Sequence, residues 1–246
     1  MSSKHPATHL FFTSRLFDGL NSFAEIEARI SGLGSNKERG DAFEVFAEAY
    51  LATQKINEAC EVWPFESIPL EQRKLLSLNT GRDMGVDGTY QTHDGELRAY
   101  QVKFRSNRPT LAWDELSTFM GLTDQVSQRV LFTNCEALPS LMRDRSGFIA
   151  IRGSDLDRLT PEDFEAMRLW LQSGHIKLPR KQPKPHQQEA LAAITNELNA
   201  NDRATVVMAC GTGKSLVALW AAEQRGCRNI LVLLHSLALV RQLLHE

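Results

Sequence analysis

The chain has 246 residues, 42% hydrophobic and 24% charged, with a formal net charge of −2. That length allows one or two domains, and the composition is ordinary for a globular protein. The near-balanced charge excludes a generally basic nucleic-acid binder, so affinity for phosphates must be built at particular places. Residues 10–34 read as mostly helical, with SFAEIEARISGL the clearest piece; Ser22 and Glu25 have the spacing of a capping box. After the break SGLGSN a helix is expected over 37–53, because Phe43, Phe46, Ala47, Tyr50 and Leu51 form one apolar stripe. Glu44 and Glu48, four apart, share a flank beside it. A short strand over 60–64 and a less regular stretch follow. Residues 85–92 and 96–104 then read as a hairpin around His93-Asp94-Gly95.

Next come a helix near 113–125, a strand over 129–133, a helix near 138–143 and a strand over 147–151. Thr160-Pro161-Glu162 starts a helix expected to reach about residue 171. This order predicts an α/β fold with a mixed sheet flanked by helices. Residues 173–185, SGHIKLPRKQPKP, carry three prolines without periodicity and mark a linker. Its cations Lys177, Arg180, Lys181 and Lys184 either touch a nucleic-acid backbone or are simply solvated. Beyond it, a helix over 186–199, the strand ATVVMA, the loop CGTGKS opening a helix to about residue 224, the strand NILVLL and a helix from Ser236 predict a β–loop–α–β unit.

The cysteines Cys60, Cys135, Cys210 and Cys227 stand far apart with no CxxC pair, which argues against a structural zinc site or a disulfide framework. They read as reduced thiols of a cytoplasmic protein. MSSKHPATHLFF is too short an apolar run for a signal peptide, and no stretch reaches the roughly 18 apolar residues of a membrane helix.

The hairpin carries the first chemical pattern. In AYQVKF, residues 99–104, Gln101 and Lys103 alternate with apolar side chains and point to one side. A two-residue turn at Asp94-Gly95 would put Asp87 opposite Val102, on the wrong face. A three-residue loop, with Gly95 left-handed, puts Asp87 opposite Gln101, so the longer loop is expected. A carboxylate, an amide oxygen and an ammonium on one patch suit Mg²⁺, which takes hard oxygen ligands. The Val102 carbonyl is a further ligand candidate. Lys103 then orients a metal-bound water or offsets phosphate charge. Glu44 closes the site from the helix, with Glu48 as its alternative and Asp83 as a competing metal carboxylate. Read without chemistry, Asp87 is a turn residue in GVDG, and Lys103 lays its stem along apolar surface from a strand end.

Asp87 followed by Gln101-Val102-Lys103, behind a helix with Gly40-x-x-Phe43-Glu44, resembles the PD-(D/E)xK nucleases, the Mrr-like branch especially, over roughly residues 37–135. The resemblance implies a metal-dependent phosphodiesterase site of Asp87, Gln101, Lys103 and Glu44. Gln101 stands where the acidic form of the motif has a carboxylate, which leaves one less negative charge.

Met208–Ser215, MACGTGKS, is a P-loop between a strand and a helix. Backbone N–H groups of Gly211, Thr212 and Gly213 cradle phosphates, Lys214 reaches the β/γ-phosphates and Ser215 holds Mg²⁺. With Met208 in place of the first glycine, it resembles the loop of restriction-type superfamily 2 helicases. That resemblance implies that Gln187 in PHQQEA contacts adenine. It also implies that NILVLLHSLALVRQ is a DNA-backbone motif with Ser236 and Gln242 in its recurrent positions.

An Mrr-like nuclease before such a motor resembles the N-terminus of type ISP restriction enzymes. The implied organisation is a helical segment over 1–36, a nuclease domain over 37–172, the linker 173–185 and the start of a RecA-like ATPase over 186–246. The implied function is Mg²⁺-dependent cutting of double-stranded DNA coupled to an ATP-driven translocase. Without a Walker B acid, a second motor lobe or an arginine finger, this chain reads as part of a longer enzyme whose helicase, methyltransferase and target-recognition parts lie beyond it. The rival expectations are a non-catalytic DNA-binding module that loads a helicase, and a helicase acting on RNA.

Overall fold

The computed structural model describes residues 4–78, 85–142, 145–174, 182–209, 211–227, 229–236 and 239–240. The chain divides into two compact units, Met1–Ile176 and Lys177–Glu246. The helices of the first are α1 (Thr8–Thr13), α2 (Phe23–Ser31), α3 (Asn36–Thr53), α4 (Leu70–Leu75), α5 (Asp114–Leu122), α6 (Gly153–Leu156) and α7 (Pro161–Ser173). Its strands are β1 (Ala59–Pro64), β2 (Gly88–Thr92), β3 (Leu97–Lys103), β4 (Gln128–Thr133) and β5 (Phe148–Ile151).

The strands form one sheet in the order β1-β2-β3-β4-β5. The β1–β2 and β2–β3 pairs are antiparallel, and the β3–β4 and β4–β5 pairs are parallel. The change of direction follows from the connections. A tight loop joins β2 to β3, whereas α5 carries the crossover from β3 to β4. The sheet is mixed and flanked by helices, as the element order predicts.

Each face has its own core. Phe11, Phe23 and Ile26 pack with the α3 stripe, with Tyr100, Val102 and Phe132 of the sheet, and with Phe164 and Trp170 of α7. On the other face Leu76, Leu116 and Phe119 meet Ala99 and Leu131. Strand alternation decides this sorting along β3: Tyr100 and Val102 go one way, Ala99 the other. Within the helical segment expected over 1–36, Phe11 of α1 and Phe23 and Ile26 of α2 join the α3 core.

Several local expectations are corrected. Residues 10–34 hold two short helices joined by a turn in which Arg15 has φ of 59°. Ser22 stands at the N-cap of α2 but makes no side-chain cap; Glu25 reaches one residue further back, to the Asn21 N–H at 3.1 Å. The capping box forms instead at α3, where Ser35 Oγ accepts the Glu38 N–H at 3.1 Å and Glu38 accepts the Ser35 N–H at 2.9 Å. The α7 start is as expected, with Thr160 as cap, Pro161 at the first position and Glu162 in the first turn; Asp163 adds a capping box with Thr160. The expected helix over 138–143 is the single 3-10 turn Ser140–Met142, with 143–144 outside the described residues. Too few residues separate Pro139 from Gly147 to propagate a helix past its costly first turn.

The hairpin has the longer loop. Gly88 pairs with Tyr100 and Gln91 with Leu97, and the Thr92 N–H donates to the Glu96 carbonyl at 3.0 Å. His93-Asp94-Gly95 is then the loop, with Gly95 at φ of 86°, a backbone region that favours glycine.

In the second unit α8 (Pro185–Ala200) packs on α9 (Lys214–Gln224) through Leu191, Ile194, Val217 and Trp220. Segments 204–209 and 229–234, expected as parallel strands, make no strand pairing among the described residues. A strand owes its stability to ladder partners on a shared core, and two strands alone bury too little to persist. Of the expected last helix, residues 239–240 are helical, and the rest lies outside the described residues, Gln242 included. Linker cations Lys177, Arg180 and Lys181 lie outside them too, as does Asp83. Among the described residues no helix is long and apolar enough to cross a membrane.

Candidate functional site

Asp87 stands one residue before β2, where the hairpin opens. Its backbone is pinned on both sides: its N–H donates to the Tyr100 carbonyl of β3 at 3.0 Å, and its carbonyl accepts the N–H of Phe65, one residue past β1, at 2.9 Å. Its carboxylate accepts the Val102 N–H at 2.5 Å. Asp87 is 7% exposed, so a short, charge-assisted bond holds a nearly buried acid.

That carboxylate borders a cavity of about 640 Å³ lined by Glu44, Asp87, Val102 and Lys103, with Arg39 and Arg105 nearby on its wall. The α3 helix brings Glu44 there because Phe43 is fixed in the core and the adjacent position emerges at its edge. Glu48, one turn on, is buried instead. Its carboxylate accepts the His5 backbone N–H at 3.0 Å, and burial pushes its pKa up to about 8, with the His5 charge and N–H pulling the other way. His5 also places Nε2 3.2 Å from the Glu44 carboxylate. The cavity therefore uses Glu44, and Glu48 lies behind it.

Lys103 ends β3 on the cavity wall. Arg105, also on the wall, is ion-paired with Glu115 at the start of α5, whose carboxylate accepts the Ala112 N–H at 2.8 Å. Burial works to raise the Glu115 carboxyl, but the Ala112 N–H, Arg105 and Lys103 outweigh it and hold it below the usual carboxylate range.

Gln101 is placed differently. It is 1% exposed and does not line the cavity; its amide nitrogen lies close against Gly85, and its Oε1 has no hydrogen-bond partner among the described residues. A buried amide oxygen left unpaired costs about 1–3 kcal/mol. The structure thus brings together Glu44, Asp87, Val102 and Lys103, and leaves Gln101 buried beside them. Among the described residues no three His, Cys, Asp or Glu side chains cluster in a way that could hold a metal ion. The two carboxylates at the cavity, Glu44 and Asp87, are nonetheless donors of the hard type that Mg²⁺ takes, with water completing its shell. Sequence reasoning missed His5 and Glu115, which come from a distant segment and from the next helix and carry no local signal.

In the second unit Gly211 and Gly213 have φ of 77° and 79°, and Lys214 and Ser215 open α9. A Cβ at Gly213 would also press on the Gln187 amide nitrogen, so that side chain would have to shift. Gln187 bridges two segments. Its Oε1 accepts the Lys184 N–H at 2.9 Å and its Nε2 donates to the Thr212 carbonyl at 2.9 Å. Both ends of the amide expected to meet adenine are engaged with protein here. Lys214 folds back over the loop, donating to the carbonyls of Met208 at 3.1 Å and Ala209 at 3.0 Å. Cys210, within the loop, lies outside the described residues.

No curated protein matches the chain. Among solved structures it is similar to the ATP-dependent Type ISP restriction-modification enzyme LlaBIII bound to DNA, with a TM-score of 0.58 and 19% identity. The match covers 89% of this chain and 14% of that one, so the likeness is one of fold and spans a small part of that enzyme's length. The family described as Type III restriction enzyme, res subunit, matches residues 180–246. That segment, which carries the P-loop and the α8–α9 pair, is similar to this family of restriction-enzyme subunits.

Proposed function

We propose that the first unit is a Mg²⁺-dependent DNA nuclease serving an ATP-dependent restriction enzyme whose motor begins in the second. What supports this reading above all is one observation: Glu44, Asp87 and Lys103, from a helix, a strand start and a strand end, line a single open cavity. Glu44 and Asp87 would hold the cation, with water completing its shell and Gln101 left buried beside the site. Bound there, Mg²⁺ supplies positive charge against a backbone phosphate and lowers the pKa of a water. Asp87 is held ready for this by the Val102 N–H, and little reorganisation is needed. The Lys103 ammonium, on the cavity wall, offsets charge that develops on the phosphate. Arg39 and Arg105 give the cavity wall a sign that suits a phosphodiester. In the second unit Lys214 would exchange its two carbonyl partners for the β/γ-phosphates of ATP.

The test is nicking of supercoiled DNA by Asp87→Ala and Lys103→Ala variants of the full chain in Mg²⁺. Each is expected to lose on the order of 10²-fold or more in rate, the scale of removing one charge-stabilising group. Unchanged cutting by both removes the assignment. One observation favours a second reading, a DNA-binding module without catalysis: neutral Gln101 does not reach the cavity. DNA binding that persists with no Mg²⁺-stimulated cleavage would select it.

A further inference from the structure

Two carboxylates four residues apart on α3 meet the same residue of the N-terminal segment, and that residue is fully committed. The His5 N–H donates to Glu48 at 3.0 Å, and its carbonyl accepts the Thr8 N–H at 2.9 Å. Its Nδ1 accepts the Ala7 N–H at 3.1 Å. With Nδ1 an acceptor, the ring proton sits on Nε2, which faces Glu44 Oε2 at 3.2 Å. The ring is 9% exposed and its segment is tied down, with Lys4 donating to the Leu171 carbonyl at 2.5 Å and Phe11 in the core. Glu44 is 26% exposed and otherwise free to take other rotamers at the cavity mouth.

We infer that His5 is a positioning residue: its Nε2–H, aimed by the Ala7 N–H on the far side of the ring, holds the Glu44 carboxylate toward Asp87 at the cavity. The arrangement has the logic of groups behind a metal site, where a hydrogen bond fixes the orientation of the ligating carboxylate. Glu48 serves it from behind, anchoring the His5 backbone. The inference rests on the nuclease reading and adds to it a residue from outside the motif-bearing segment.

The test compares wild type, His5→Ala and His5→Gln in the full chain, the last because a glutamine amide keeps an N–H donor at similar reach. Mn²⁺ binding is followed by calorimetry, nicking is titrated with Mg²⁺, and melting is recorded in parallel. His5→Ala is expected to weaken Mn²⁺ binding and to raise the Mg²⁺ needed for half-maximal nicking, both by roughly 10–100-fold. His5→Gln is expected to recover most of that loss. Cutting and Mn²⁺ binding by His5→Ala equal to wild type overturn the inference alone. Equal impairment of the Gln variant, with melting lowered to match, also overturns it, by showing a packing role. A wild type that neither cuts nor binds Mn²⁺ overturns the nuclease reading and this inference with it.

Discussion

Glu48 shows how much one buried acid can set. It is 1% exposed, and burial carries its pKa from about 4.5 unfolded to about 8 folded. Between those values the folded chain holds a proton that the unfolded chain has released, so stability falls as pH rises across that interval. His5 acts in the same direction. Burial lowers its pKa, but the hydrogen bond to Glu44 and the charges of Glu48 and Glu44 outweigh burial and raise it above 6.5. Its contribution is full below the unfolded value and is lost as pH rises through the folded one. Melting temperature is therefore expected to decline from about pH 5 to about pH 8, and Glu48→Gln to flatten the decline and to gain most at the alkaline end. Wild-type melting that is flat or climbs over this range contradicts the assignment. The same neighbourhood shows what a sequence can carry at this scale. The placement of Asp87 against β3 was legible because strand alternation and loop length are local rules. The His5 contacts were not, because they join residues 43 apart in sequence through a fold no local pattern encodes.

Helix starts show where a local rule stops deciding. Ser22-x-x-Glu25 and Ser35-x-x-Glu38 carry the same pattern, yet only the second becomes a capping box. At α2 the chain enters differently. Arg29 holds the carbonyls of Leu16 and Asp18 at 2.9 and 2.7 Å, fixing the preceding turn, and Glu25 closes onto Asn21 instead. Ser35→Ala is therefore expected to cost about 1 kcal/mol in urea unfolding, the usual worth of an N-cap hydroxyl. Ser22→Ala is expected to cost less than half as much, although a pattern reading would rank the two equal. Comparable losses would mean that Ser22 caps after all. Elements with strong, long stripes, such as α3, were legible nearly to the residue. The segment over 138–142 was not, since apolar content there serves the second core from a single turn.

At the scale of the whole molecule the two units differ in how their apolar strands are covered. In the first, β3 and β4 lie inside the sheet with helices on both faces, so Tyr100, Leu131 and Phe132 are all buried completely. In the second, the segments with an equally strong strand pattern have no ladder partner among the described residues. Val207, Leu231 and Leu233 are 93%, 84% and 83% exposed. The sequence pattern there reports what these segments are suited to, a sheet interior, and pairing is a non-local event that a pattern alone cannot supply. Exposed apolar runs of this kind bind hydrophobic dyes and associate. The triple variant Val207→Lys, Leu231→Lys, Leu233→Lys is therefore expected to lower anilinonaphthalene sulfonate fluorescence several-fold and to raise solubility. Its helical circular dichroism should stay unchanged, because the α8–α9 contact uses Leu191, Ile194, Val217 and Trp220 and none of the three substituted positions. Dye binding equal to wild type would show that these side chains are covered in solution by pairing between the two segments or with another chain, and the parallel unit read from the sequence would then be formed after all.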